Sequence, residues 1–177
     1  MGAWVAAYLA EPATLITLAV LVTLAVVLHR PLARRAGWSP WPTGAALLTL
    51  AVIGALTLLP APGPTLTDPT WSALPGCARE LANPVAAWRG LIDQYRVERI
   101  SNTLMFMPLT FFGVLATRRP RPVAVAGMLL PVAIETAQVV LVGSRSCTAV
   151  DWLTNALGAA LGALTGWLVL RRTGGRD

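Results

Sequence analysis

The sequence predicts an all-α integral membrane protein with five transmembrane helices. Three observations carry this. Only 12% of its 177 residues are charged while 55% are hydrophobic, against about a quarter charged in an ordinary soluble domain. The apolar residues gather in five stretches of near-spanning length. The arginines gather in small clusters between those stretches. The same figures exclude a disordered chain, which needs low hydrophobicity. One membrane domain over residues 1–177 is expected.

The five helices are expected at about 12–29, 43–60, 101–117, 122–142 and 151–170. A span of hydrocarbon takes about 20 mostly apolar residues, with a range of about 17–25. The backbone must be helical because lipid offers it no hydrogen-bond partner. The first stretch is introduced by Glu11-Pro12 and followed by His29-Arg30, so His29 reads as an interfacial cap. No basic segment precedes it, which separates it from a cleaved signal peptide. The second stretch is flanked by Trp38 and Trp41, read as interfacial anchors, and closes at Pro60. The third begins at Asn102 and contains Pro108. The fourth contains Pro131, four residues before Glu135, where a missing N–H bends a helix. The fifth begins at Asp151, read as its N-cap.

Orientation follows from the arginines. Arg30, Arg34, Arg35, Arg118, Arg119, Arg121, Arg171, Arg172 and Arg176 fall on one side with a single acid, Asp177. The other side has five arginines against seven acids. Basic loops stay cytoplasmic, which puts the N-terminus outside and the C-terminus in the cytoplasm of a multi-pass cell-membrane protein. The net charge of +6 is thus a topology signal. It is not the concentrated basic face that nucleic acid requires, and no nucleic-acid partner is expected.

The long outer segment, residues 60–100, begins rich in proline and threonine. Its second half predicts an amphipathic helix on the outer surface. Asn83 suits an N-cap and Pro84 the first helical position. Val85, Trp88, Ile92 and Tyr95 recur at helical spacing, with Arg89, Asp93 and Arg96 opposite. Cys77 and Cys147 both fall outside, where an oxidising space predicts a disulfide. Two independent thiols are the alternative, because spacing alone does not establish pairing.

Several chemistries are closed to this composition. All 14 basic residues are arginine, which removes Schiff-base and lysine-nucleophile mechanisms. One histidine and two cysteines are too few for a His-cluster or thiolate zinc site. No metal site or cofactor is expected. There is no G-x-S-x-G elbow and no phosphate-binding glycine loop.

What remains is a set of polar residues inside or beside spans. An ionisable group within a span is a functional candidate by default. Glu135 and Gln138 share a face, with Glu135 about 10 Å below the outer end of its helix. Asp151 and Asn155 lie one turn apart. Asn102 enters the third span, and Arg145 lies in the short loop before the fifth. The candidate binding set is therefore Asn102, Glu135, Gln138, Arg145, Asp151 and Asn155. A guanidinium with amides suits carboxylate or phosphate. Two carboxylates also suit acid–base work or a divalent cation. A closed network, in which Arg145 neutralises the acids, stands beside these. Below them Gly158, Gly162 and Gly166 form a small-residue stripe suited to helix packing.

The ordered residues resemble the VanZ-like family over about 100–170. The resemblance rests on Asn102, F-M-P-L at Phe106–Leu109, E-T-A-Q at Glu135–Gln138, G-S-R-S at Gly143–Ser146 and D-W-L-T-N-A-L-G-A-A-L-G from Asp151 to Gly162. One departure is Thr110, where the family often has glycine. The family takes its name from a teicoplanin-resistance protein. The resemblance implies an envelope-facing membrane protein with the six candidate residues as its signature; it implies no reaction. The leading expectation is a non-enzymatic protein whose outward polar pocket binds a cell-envelope lipid or glycopeptide and contributes to lipoglycopeptide tolerance. The alternatives are a membrane enzyme acting on an outer-leaflet headgroup or undecaprenyl-linked precursor, and a small transporter or scaffold subunit. Membrane lipids are expected partners, and the glycine stripe offers a surface for homo-oligomers.

Overall fold

The computed structural model describes residues 11–57, 71–93, 96–141 and 147–173. Its α-helices are α1 (Pro12–Ala36), α2 (Pro40–Thr57), α3 (Leu74–Leu81), α4 (Pro84–Asp93), α5 (Arg96–Thr117), α6 (Pro120–Leu141) and α7 (Ala149–Thr173), with a 3₁₀ turn at Trp71–Ala73. Five of them, α1, α2, α5, α6 and α7, are long and apolar enough to cross a membrane. At about 1.5 Å per residue the shortest, with 18 residues, matches about 27 Å.

The helices run further than the apolar stretches suggest. α1 does not end at His29; it continues through Arg30 and Pro31 to Ala36. There Gly37, at φ +68°, turns the chain and donates its N–H to the Ala33 carbonyl. The left-handed cap is open to glycine because no Cβ opposes it. The His29 ring instead bonds the Val26 carbonyl through Nδ1 at 2.7 Å and lies over Gly44. α5 starts six residues before Asn102, at Arg96. Pro108 and Pro131 lie within continuous helices.

The centre of the bundle is the pair α5 and α7. Residue numbers rise together along the contact. Thr103 Oγ1 donates to the Thr154 carbonyl at 3.2 Å, and Thr110 Oγ1 to the Ala159 carbonyl at 2.7 Å. The two helices are therefore parallel. A Cβ on Gly158 would stand 2.1 Å from the Thr103 carbonyl oxygen, one on Gly162 2.0 Å from that of Met107, and one on Gly166 2.9 Å from that of Phe111. The glycine stripe is thus consumed inside the chain and buried, not exposed for a second copy. Thr110, the departure from the family pattern, is 1% exposed and fills the space where α5, α6 and α7 meet. A Cβ on Gly127 of α6 would strike its methyl at 2.3 Å.

α6 and α2 complete the core, in which Ile53, Phe106, Ile134 and Ala159 cluster. α1 packs on α2, with Leu21 against Gly54. Two tight connections place the arginines. Ser39 N donates to the Ala116 carbonyl at 3.0 Å, which brings the start of α2 beside the end of α5. Arg118, at φ +57°, turns α5 into α6. One end of the bundle therefore holds Arg34, Arg35, Arg118, Arg119, Arg121, Arg171 and Arg172. The opposite end holds the Cys77–Cys147 disulfide, with S–S 2.06 Å and Cα–Cα 5.2 Å.

The residue 60–100 segment contributes two short helices at the cysteine end. Asn83 Oδ1 accepts from the N–H groups of Val85 at 3.0 Å and Ala86 at 3.2 Å, capping α4. α4 docks through small residues: Ala87 is buried, and a Cβ on Gly90 would lie 2.7 Å from Val150 Cβ. Val85, Trp88 and Ile92 remain exposed. Tyr95 lies outside the described residues, as do the side chains of Asp93 and Arg96. Arg99 Nη1 donates to the Leu91 carbonyl, tying α4 to α5.

Gly162→Ala tests the packing seam. Its methyl meets backbone, which cannot rotate away, so overpacking should cost about 1–3 kcal/mol. The expected outcome is a lower unfolding temperature of the purified protein in detergent. Unchanged stability would show that α5 and α7 are not packed this closely.

Candidate functional site

The polar candidates gather at the cysteine end, where α5, α6 and α7 converge. The Asn102 amide Nδ2 donates to Asp151 Oδ1 at 2.7 Å, joining α5 to α7 about two turns before Gly158, the first glycine of the seam. The other carboxylate oxygen of Asp151, Oδ2, accepts from the Thr148 hydroxyl at 2.6 Å. The Thr148 backbone N–H in turn donates to Glu135 Oε2 at 3.0 Å. Three helices are thus bridged by one chain of hydrogen bonds running Asn102, Asp151, Thr148, Glu135. Ser101, Glu135 and Asp151 each engage a further partner.

Local sequence explains most of this. α7 begins at Ala149, so Asp151 is its third residue and not its N-cap. Thr148 stands just before the helix. Thr-x-x-Asp repeats the spacing of a capping box, here closed hydroxyl to carboxylate. The acid also lies in the first turn, where the helix dipole favours negative charge. Thr148 is the site residue that the sequence reading missed, and its position three residues before Asp151 was the available signal.

Glu135 is 4% exposed and Asn155 5%. Among the described residues, the buried Asn155 Oδ1 has no hydrogen-bond partner. A buried acceptor left without a donor costs about 1–3 kcal/mol, and such groups are rare in folded proteins. Gln138 is placed differently from the rest. Its Nε2 donates to the Thr57 carbonyl at 2.6 Å, so it ties α6 to the end of α2. That carbonyl is among the last of α2, where helical acceptors lack an intrahelical donor. Arg145 lies outside the described residues.

The disulfide reinforces the same end. It joins α3 to the residue before Thr148, across 70 positions of sequence. The chain that leads into Thr148 is thereby anchored next to the hydrogen bonds it makes. Trp152 Nε1 donates to the Met128 carbonyl at 3.4 Å, adding a second link between α6 and α7.

Chemically the group consists of carboxylate and amide oxygens, one of them without a donor among the described residues. Among the described residues no three His, Cys, Asp or Glu side chains gather closely enough to hold a metal ion.

A family model described as VanZ/LLP1 matches residues 46–170. The match reaches beyond the 100–170 region to include most of α2, and it contains every residue of the hydrogen-bonded group. No curated protein and no solved structure matches the chain. With five membrane-spanning helices and most of its length inside the matched region, the chain belongs to the VanZ/LLP1 family.

Proposed function

We infer that the cysteine end faces out of the cell and that its polar group binds a cell-envelope lipid or glycopeptide, contributing to teicoplanin tolerance. The orientation has two independent supports. Disulfides persist on the oxidising side of a membrane, and arginine-rich connections stay on the cytoplasmic side; the two features occupy opposite ends of the bundle. Exposed Val85, Trp88 and Ile92 on α4 then suit the outer interface, where an amphipathic helix buries its apolar face among headgroups.

The observation that carries the binding reading is the orphaned Asn155 Oδ1, next to a network whose other members are engaged. A buried acceptor of this kind calls for a donor, and a bound ligand is one source of it. A ligand hydroxyl, amide or ammonium supplies the missing donor, and these are the groups that envelope headgroups and glycopeptides carry.

Two measurements test this. A C-terminal green fluorescent protein fusion should fluoresce and a C-terminal alkaline phosphatase fusion should be inactive; an active phosphatase contradicts the orientation. In a teicoplanin-sensitive bacterium expressing the protein, Glu135→Gln and Asn155→Leu should each abolish protection at unchanged membrane abundance. Full protection with these variants would sink the site. Loss of both protection and abundance would assign the residues to folding instead.

A further inference from the structure

The arginine end carries a feature independent of the polar group. Between α6 and α7 a groove of about 330 Å³ opens on the bundle surface. Its walls are Ala124, Ala160, Ala163 and Leu164, and Arg121 and Trp167 stand at its mouth. The hollow exists because the facing residues are mostly alanine, whose side chains stop short of filling the gap between two helices. It is apolar along its length and basic at one end.

The basic end is organised. The Arg171 guanidinium carbon lies 4.4 Å above the centre of the Trp167 ring, within cation–π range. Arg118, Arg119, Arg121, Arg171 and Arg172 all belong to this end. Every aspartate and glutamate among the described residues belongs to the other end, so no described acid neutralises these arginines. Tryptophan and arginine at this level are interfacial residues, which places the mouth at headgroup depth and the alanine walls among acyl chains.

We propose that this groove is a binding site for an anionic phospholipid of the adjacent leaflet. One acyl chain lies along the alanine wall, and the phosphate meets Arg121 and Arg171. A guanidinium presents a fork of donors that fits a phosphodiester, and basic sites between membrane helices hold anionic headgroups. A zwitterionic lipid fits less well, since its own ammonium or choline faces the same uncompensated arginines. Free phosphate meets the charge but leaves the apolar groove unfilled.

The test is native mass spectrometry of the full chain in detergent, titrated with phosphatidylglycerol and, separately, phosphatidylcholine. A phosphatidylglycerol adduct should form in preference to phosphatidylcholine. Arg121→Gln, at an exposed position, should weaken that adduct about fivefold, the effect of one arginine at a membrane surface. Ala160→Phe should remove it by filling the groove at unchanged charge, and if that variant does not fold, Arg121→Gln decides. Arg34→Gln, at the same end but on α1, should leave the adduct intact, and excess inorganic phosphate should not displace it. Equal binding of the two lipids, an adduct that survives Arg121→Gln unweakened or persists in folded Ala160→Phe, an equal fall in Arg34→Gln, or displacement by phosphate would each overturn the proposal.

Discussion

Everything at the cysteine end depends on how closely the backbones of α5 and α7 approach. Helices in lipid gain little from burying apolar surface, because lipid is as apolar as leucine; they associate through close packing and interhelical hydrogen bonds. Gly158, Gly162 and Gly166 provide that packing, setting α7 directly on the carbonyls of Thr103, Met107 and Phe111. The register so fixed brings Thr110 onto the Ala159 carbonyl and, about two turns before Gly158, Asn102 onto Asp151. The polar bond is a continuation of the apolar seam.

Polar and covalent ties at the same end then hold α6, α2 and α3 in place. Glu135 fastens α6 to the start of α7 through the Thr148 N–H. Gln138 fastens α6 to the end of α2. The disulfide secures the chain leading into α7 against α3. Such ties are strong where water is scarce, because an unmade bond leaves a polar group in a low-dielectric interior. Asn155 Oδ1, buried beside these groups without a donor among the described residues, stands out for that reason. The opposite end is built on another principle, with exposed arginines around small-residue walls and no described acid.

Much of this was legible in the sequence. The five spans follow from apolar length. The α4 cap follows from Asn83-Pro84, and the glycine seam from spacing at three and four residues. What stayed hidden has a common cause. Gln138 and Thr103 bond to backbone carbonyls, and a carbonyl has no residue type to read. Thr57 is 81 positions from Gln138, and nothing in either neighbourhood marks the pair. His29-Arg30 marked the expected end of the first span, yet α1 passes on through Pro31 to a cap at Gly37. Thr148 was overlooked because Asp151 itself resembles an N-cap, and which of two capping residues begins the helix is settled by tertiary contacts. Thr110 was visible only as a departure, and its role needs three helices at once.

The seam holds Asn102 and Asp151 in direct contact. The most direct measurement is a double-mutant cycle of Asn102→Ala and Asp151→Ala, read as unfolding free energy of the purified protein in detergent. Residues in contact show coupling of about 0.5–3 kcal/mol, and the double variant should be correspondingly less destabilised than the two single variants combined. Effects that add within about 0.3–0.5 kcal/mol would mean the two side chains do not interact and that the seam does not set this register.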